Sequence, residues 1–146
     1  MSQQSPSPVT FRLLAYGTFL SGEREHDLIS GSKLVGSVRT AKGYTLVETR
    51  ALAGLVEGGD GDVVGELYDV SYEVLRACDK RRDIPILFER KEIPLADGTR
   101  AHAYVLRHDQ VRGLRRIKGG DWRQRFSVAK PEGGALVQWA KNRYRR

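Results

Sequence analysis

The chain of 146 residues contains little that could build a disulfide or a metal centre. It has one cysteine, Cys78, and three histidines scattered at positions 26, 102 and 108. A single cysteine excludes an internal disulfide and a thiolate cluster, and the scattered histidines lack the spacing of a zinc site. We therefore expect no metal and no cofactor, and we interpret Cys78 as a small buried apolar residue.

Long apolar runs are also missing. A membrane span needs about 20 consecutive apolar residues, and the sequence contains no such run. The first eight residues, MSQQSPSP, are polar and have no basic segment followed by an apolar one, as a secretory signal would have. We interpret residues 1–10 as a disordered leader and residues 11–125 as one domain. The expected location is the cytoplasm, without a membrane partner.

Positive charge is concentrated at one end of the chain. Residues 107–146 hold twelve Lys and Arg residues against three acidic ones, a net charge of +9. Because the whole chain carries +7, the first 106 residues carry −2. We interpret residues 126–146 as a basic C-terminal extension, which is either a solvated tail or a patch for nucleic acid or other anions. The sequence has no helix-turn-helix, zinc-finger or aromatic RNA-binding signature that favours nucleic acid.

Short strand patterns separated by glycines dominate the rest of the sequence. Residues 63–70, VVGELYDV, form the clearest strand, and Ser71 is a candidate N-cap for a helix over residues 73–78. The pair Asp97-Gly98 predicts a hairpin turn. Further strands are predicted at residues 9–14, 33–38, 44–47, 87–95 and 101–106, and further helices at 23–29 and 131–139. This pattern predicts a small barrel or a curled mixed sheet.

The segment LLAYGTFL at residues 13–20 runs from an apolar strand into a turn at Gly17. Glycine permits positive φ, so consecutive backbone N–H groups can point into one concavity and hold an anion. Thr18 adds a hydroxyl donor. The segment therefore predicts either an anion- or carboxylate-binding loop or an ordinary tight turn.

Four separated segments together resemble the gamma-glutamylcyclotransferase-like family, which includes the AIG2-like proteins. They are LAYGTFL at residues 14–20, GYTLV at 43–47, VVGELYDV at 63–70 and IKGGDW at 117–122. The first is similar to the family's tyrosine-glycine-serine/threonine-leucine opening, and the last to its isoleucine…glycine-aspartate-tryptophan end motif. The resemblance implies an α+β fold, a small mixed β-barrel with flanking short helices, and a cavity lined by the first turn.

Active members of this family cleave a γ-glutamyl amide without water. The substrate's own α-amino group attacks its γ-carbonyl, which gives 5-oxoproline and releases an amine. The resemblance implies that the first turn, Tyr16, Gly17, Thr18 and Phe19, binds a small γ-glutamyl amine or peptide. A carboxylate must also take a proton from the α-ammonium, whose pKa lies near about 8, and pass it to the leaving amine.

The sequence departs from the family at the position of this carboxylate. The family's general-base glutamate lies three residues after a leucine-aspartate pair, and the same spacing from Cys78-Asp79 leads to Arg82. The proline, leucine and arginine that follow in the family pattern match residues 85, 87 and 90, so the register is anchored. Phe88 replaces a family tyrosine, whereas Tyr104 stands where the family has a cavity tyrosine.

Two interpretations of Arg82 remain open from the sequence. It either lies on the surface or points into the cavity, where it would bind a carboxylate or a phosphate. Because arginine stays protonated at neutral pH, the neighbouring Asp83 is the candidate catalytic base. With Arg82 and Tyr104 added to the substrate-binding residues, the sequence predicts a gamma-glutamylcyclotransferase-type enzyme. The alternative is a non-catalytic member that binds an acidic small molecule in the same cavity.

Overall fold

The computed structural model describes residues 9–49 and 52–126, which contain eight strands, one α-helix and several short 3-10 turns. The predicted leader, except for its last two residues, and the basic extension beyond residue 126 lie outside the described residues, as does the helix predicted at 131–139. The elements are β1 (Phe11–Ala15), β2 (Lys33–Arg39), β3 (Tyr44–Thr49), β4 (Leu52–Glu57), β5 (Val64–Val70), α1 (Tyr72–Arg81), β6 (Phe88–Pro94), β7 (Arg100–Leu106) and β8 (Arg115–Arg116).

The eight strands form one mixed sheet in the order β2-β5-β1-β7-β4-β3-β8, with β6 attached to β7. β1 and β4 both run parallel to β7, whereas the remaining pairs are antiparallel. β1 pairs with β7 at His102 and β4 pairs with it at Val105, so the two strands follow one another along the same strand. The chain that leaves the end of β1 therefore meets β4. The architecture is a curled α+β sheet, a half-barrel, as the sequence predicts.

Side chains on the two faces of the sheet form two apolar clusters. Leu14 of β1 belongs to one cluster together with Leu55 of β4. Its neighbour Leu13 belongs to the other, which also contains Phe19 from the first turn and Leu75 from α1. Because successive side chains of a strand point to opposite faces, β1 is buried on both sides. The first turn thus packs on the face that α1 covers.

Helix α1 begins after the predicted N-cap, Ser71, but extends to Arg81, three residues beyond its predicted end. The Ser71 side chain accepts a hydrogen bond from the backbone N–H of Val74 at 3.2 Å, which satisfies one unpaired donor of the first turn. An acidic residue in the first turn and two basic residues in the last complement the helix dipole. Cys78 is fully buried, as expected. The helix ends at Arg82, its C-cap, which leads directly into the candidate site.

Two local predictions differ from the structure. The helix predicted at residues 23–29 is wrong, because only His26–Leu28 forms a single 3-10 turn. This segment has two adjacent apolar residues, Leu28 and Ile29, which cannot form the apolar stripe that stabilises a longer helix. Strand β4 was not predicted. Within the described ranges, no helix has the length and apolarity that crossing a membrane requires.

Candidate functional site

The candidate site is built around the first turn, a 3-10 turn over Gly17–Phe19 that follows β1 directly. Gly17 has a φ of +62°, and a Cβ at this position would lie 2.2 Å from the Cβ of Ala53 on β4. Glycine is therefore required both by the left-handed backbone conformation and by the close approach of β4. The topology around β7 is what brings these two segments together.

Backbone N–H groups of the first turn have unequal roles. Phe19 donates to the carbonyl of Tyr16 at 3.2 Å, and Leu20 donates to the carbonyl of Gly17 at 3.1 Å. These two bonds close the turn. The N–H groups of Gly17 and Thr18 have no acceptor inside the turn, because the first residues of a helical turn lack a preceding carbonyl. Binding of an anion by these two N–H groups remains a prediction.

Tyr16 ties the first turn to two strands. Its hydroxyl donates to the carbonyl of Tyr104 on β7 at 2.5 Å and accepts the N–H of Leu55 on β4 at 2.9 Å. Burial raises the pKa of Tyr16 to about 12, although the charge of Arg82 acts in the opposite direction. The hydroxyl therefore stays protonated and holds the turn in position. A substrate contact by Tyr16 remains a prediction.

Three buried side chains, Thr18, Glu25 and Arg82, form what we call the turn cluster. Nη2 of Arg82 donates to Oε1 of Glu25 at 2.8 Å and to the hydroxyl of Thr18 at 3.1 Å. The Thr18 hydroxyl donates to the same Glu25 oxygen. The backbone N–H of Glu25 also donates to the carbonyl of Thr18 at 2.9 Å, which fixes the loop that carries Glu25 against the turn.

Arg82 points into the molecule, so it is not the surface arginine of the first interpretation. Its side chain is 3% exposed, and its guanidinium carbon lies 4.0 Å from the ring centre of Phe19 and 5.8 Å from that of Phe88. Such stacking on aromatic faces is characteristic of arginine. Nη1 is buried and has no hydrogen-bond partner among the described residues. A buried charged donor without a partner is costly, which makes Nη1 the donor of the turn cluster that an acceptor would stabilise. Substrate binding by Arg82 remains a prediction.

Glu25 is ionised in this arrangement. Burial alone would raise the pKa of Glu25, but hydrogen bonds from Arg82 and Thr18 and the charge of Arg82 lower it to about 2. Arg81 adds a hydrogen bond to the second carboxylate oxygen at 3.3 Å. The turn cluster therefore contains a buried ion pair, and Glu25 is the carboxylate that touches the first turn.

Asp83, the carboxylate that the sequence suggests as the base, lies differently. It follows the C-cap of α1 with a φ of +53° and is exposed. Its backbone carbonyl accepts the N–H groups of Ile86 and Leu87, both at 3.0 Å. In the described part of the chain, no hydrogen bond or ion pair joins the Asp83 carboxylate to the first turn. A catalytic role for Asp83 remains a prediction.

Tyr104 lies beneath the first turn, with its ring centre 6.2 Å from that of Phe19. Its hydroxyl donates to Oδ1 of Asp79 at 2.6 Å, and Nε of Arg90 donates to the same oxygen at 2.8 Å. Burial, followed by the hydrogen bond to Asp79, raises the pKa of Tyr104. This buried network joins β7, α1 and β6 under the turn. Substrate binding by Tyr104 also remains a prediction.

The IKGGDW segment and Arg123, which follows it, hold the loop that carries Glu25. Nε1 of Trp122 donates to Glu23 at 3.2 Å, and Nη2 of Arg123 donates to the carbonyl of Ser21 at 2.5 Å and to Glu66 at 3.3 Å. A cleft of about 250 Å³ opens between this loop and the end of the described chain. It is lined by Thr18, Gly22, Glu23, Arg24, Glu48, Trp122 and Arg125. Since Thr18 also belongs to the turn cluster, the cleft reaches the candidate site.

A second cleft, of about 500 Å³, shares no residue with the first turn. It is lined by residues of β3, of the loop at 60–62 and of the segment at 116–120. Among residues 9–49 and 52–126, no group of three His, Cys, Asp or Glu side chains is arranged to hold a metal ion. The candidate site therefore consists of the turn cluster and the cleft beside it.

Sequence reasoning missed Glu25 and left the position of Arg82 open. Glu25 lies in a polar run without periodicity, so no pattern separates it from its exposed neighbours. For Arg82 a signal exists, because Leu75, Cys78 and Arg82 are spaced by three and four residues and fall on one helical face. Leu75 and Cys78 on that face are buried, and Arg82 at the helix end is buried with them.

Comparisons with known proteins point to one family. The family model described as gamma-glutamyl cyclotransferase, AIG2-like, matches residues 13–124. A Vibrio cholerae serotype O1 protein named "Putative gamma-glutamylcyclotransferase" is 34% identical over 114 residues, which are 77% of this chain and 96% of that protein.

Solved structures show the same fold. A uropathogenic E. coli-specific protein has a TM-score of 0.69 at 24% identity and covers 79% of this chain and 94% of its own. The YtfP protein of Escherichia coli has a TM-score of 0.63 at 29% identity, with 78% and 97% covered. An AIG2-like protein of Mus musculus has a TM-score of 0.63 at 21% identity, with 77% and 88% covered. This chain belongs to the AIG2-like gamma-glutamyl cyclotransferase family.

Proposed function

We propose that this chain is a gamma-glutamylcyclotransferase-type enzyme that converts a γ-glutamyl amide into 5-oxoproline and an amine. Family membership supports this reaction class. The observation that carries the proposal is the first turn itself, with N–H groups at Gly17 and Thr18 and the buried guanidinium of Arg82 beside it. Together they form a compact set of donors for a small carboxylate.

The substrate's charges fit this set of donors. In the proposal, Nη1 of Arg82 binds the α-carboxylate, because a buried guanidinium forms strong charge-assisted hydrogen bonds with carboxylates. The N–H groups of Gly17 and Thr18 stabilise the oxyanion that develops on the γ-carbonyl oxygen. Such donors act most strongly in a site from which water is excluded.

The second contribution to the rate enhancement comes from holding the substrate in a bent conformation. A γ-glutamyl group has several rotatable bonds between its amine and its carbonyl, and holding both ends brings the reacting atoms together. Well-oriented intramolecular reactions reach effective molarities of about 10⁵ M or more. The cleft of about 250 Å³ at Thr18 leaves room for the amine that departs. The sequence offers Asp83 as the proton-transferring carboxylate.

The proposal is tested by the release of 5-oxoproline. The purified chain is incubated with γ-glutamyl derivatives of an α-amino acid, of the lysine ε-amine and of a simple alkylamine, and the product is separated by chromatography. Arg82→Met should lower kcat/KM by about 10- to 100-fold, because it removes a charged hydrogen-bond donor. Arg76→Met on the exposed face of α1 is the matched control and should keep the wild-type rate. Absence of 5-oxoproline from every substrate would contradict the proposal.

A second function is favoured by the same arginine. The family resemblance implies a general base at the position of Arg82, and here Nη2 of Arg82 hydrogen-bonds to Glu25. A non-catalytic chain would bind an acidic small molecule at Nη1 without turnover. In that case glutamate, 5-oxoproline or phosphate should raise the melting temperature, because a ligand that binds the folded state stabilises it. The Arg82→Met variant should show no such shift.

A further inference from the structure

Glu25 and Arg82 form a buried ion pair beside the first turn. The family resemblance implies a glutamate at the position of Arg82, and here Nη2 of Arg82 reaches the Glu25 carboxylate at 2.8 Å. Glu25 comes from a different part of the chain, the loop after the first turn. Its carboxylate nevertheless touches the Thr18 hydroxyl of the first turn. A carboxylate is therefore present at the turn, although the aligned position has lost one.

We propose that Glu25 is the general base of this enzyme and that Arg82 is the residue that binds the α-carboxylate of the substrate. This inference rests on the proposed function. The base has moved from the end of α1 to the loop after the first turn, and the freed position has become an anion-binding position. No sequence alignment to the family's glutamate would find this base.

The geometry fits a zwitterionic group. The α-carbon of a γ-glutamyl substrate carries one carboxylate and one ammonium. Arg82 and Glu25 offer the opposite charges side by side, with side chains 3% and 11% exposed. Nη1 of Arg82 is still without a partner in the described residues, so the substrate carboxylate can bind there before Glu25 is released. The ammonium then takes the place of the guanidinium beside Glu25.

Substrate binding also changes the basicity of Glu25. Without substrate, burial opposes ionisation of Glu25, but Arg82, Thr18 and Arg81 keep its pKa at about 2, which is too low for an efficient base. A carboxylate bound to Arg82 offsets the charge that lowers this pKa. Arg81 and the buried Cys78 are the other titratable groups of α1 near Glu25. Substrate binding therefore raises the pKa of Glu25 and makes it a better base.

The proton balance of the reaction closes without another reactant. Glu25 takes one proton from the α-ammonium, and the neutral nitrogen attacks the γ-carbonyl carbon to form the ring C–N bond. The oxyanion collapses, the amide C–N bond breaks and protonated Glu25 gives its proton to the leaving nitrogen. A second proton passes from the ring nitrogen to the same leaving nitrogen. The products are 5-oxoproline, still a carboxylate, and a protonated amine, with Glu25 again ionised.

The first experiment compares Glu25→Gln with Asp83→Asn. Glu25→Gln should lower kcat by about 10²- to 10⁴-fold, the usual effect of removing a general base, and should change KM much less. Asp27→Asn, which removes an exposed acid of the same loop, is the control and should keep kcat. Retained turnover in Glu25→Gln together with lost turnover in Asp83→Asn would overturn the inference while leaving the proposed function intact.

The second experiment exchanges the two charges. The single variants Glu25→Arg and Arg82→Glu should each release no 5-oxoproline, because each places two like charges in contact. The double variant restores the ion pair and returns a glutamate to the family position, so it should fold and release 5-oxoproline within about tenfold of the wild-type rate. This variant decides the question if Glu25→Gln does not fold. A double variant that folds and forms no 5-oxoproline would overturn the inference, whereas an inactive wild type would overturn the proposed function as well.

Discussion

Glu25 and Arg82 are 57 positions apart and meet in the interior, so neither can be changed without affecting the other. Removing one member of a buried ion pair leaves an uncompensated charge, whereas replacing both by uncharged groups removes the cost of desolvation as well. Relative to two uncharged groups of similar size, the intact pair is therefore expected to add little to folding stability. Its single variants must be interpreted together with their stability.

Removing Glu25 alone should cost more stability than removing both members of the ion pair. Glu25→Gln should lower the free energy of unfolding by about 3–5 kcal/mol, because Arg82 stays charged in the interior. The double variant Glu25→Gln/Arg82→Met should recover most of this loss and lie within about 1–2 kcal/mol of the wild type. Urea denaturation followed by circular dichroism measures both values. Equal destabilisation of the single and the double variant would contradict the buried ion pair.

Acid should weaken the buried ion pair between Glu25 and Arg82. Because the pKa of Glu25 is lowered from 4.5 to about 2 in the folded chain, its ion pair stabilises the fold above about pH 4.5, and this contribution is lost as the pH falls through about 2. The loss attributable to Glu25 is roughly 3 kcal/mol. The Glu25→Gln/Arg82→Met variant should lose less stability than the wild type between pH 5 and pH 2. Parallel pH curves for the two proteins would show that Glu25 titrates normally.

At the scale of the elements, the first turn is shaped by strand β4. Ala53 leaves room for Gly17, and a Cβ on Gly54 would lie 3.0 Å from the side chain of Leu106. Close packing therefore favours small residues at positions 53 and 54. The same two residues hide the strand in the sequence, because alanine and glycine are not typical of strands. The small residues that let β4 approach the first turn are thus also the reason why the sequence does not predict this strand.

The close approach of β4 should make Gly17 sensitive to substitution. Gly17→Ala should destabilise the chain by about 2–4 kcal/mol, because the new methyl group meets Ala53 and the backbone must keep a positive φ. Gly22→Ala in the same loop is the matched control, since Gly22 has a φ of +84° and nothing within 4 Å of a new Cβ. It should lose only about 1 kcal/mol. Equal losses in thermal or urea unfolding would contradict the close approach of β4.

Other elements follow from local signals. Strand β5 and helix α1 are predicted because an apolar strand, the Ser71 N-cap and the apolar spacing of α1 agree with one another. The loop at residues 20–29 has no such agreement, and its conformation is set by distant partners such as Arg123 and Trp122. Glu25 lies in this loop, so the sequence could predict the turn but could not predict the carboxylate that faces it.

For the whole molecule, the sequence predicts the family and the first turn better than the chemistry beside the turn. Three of the four family segments meet in the structure, since Trp122 of IKGGDW holds the loop after the turn and the strand VVGELYDV pairs with β1. In contrast, the position at which the resemblance implies the base holds Arg82, and it gives no indication of Glu25. Compensation by a residue on another element can be recognised only when both side chains are placed in three dimensions.

In the proposed reaction, the turn cluster promotes intramolecular attack on a γ-glutamyl amide. Its most direct test is the reaction of the wild-type chain with a γ-glutamyl amine in oxygen-18 water, with both products identified by mass spectrometry. We predict unlabelled 5-oxoproline and an equal amount of free amine, because the substrate's own nitrogen is the nucleophile. Glutamate that carries oxygen-18 would show hydrolysis in place of intramolecular attack, and the absence of both products would show that the chain does not catalyse the reaction.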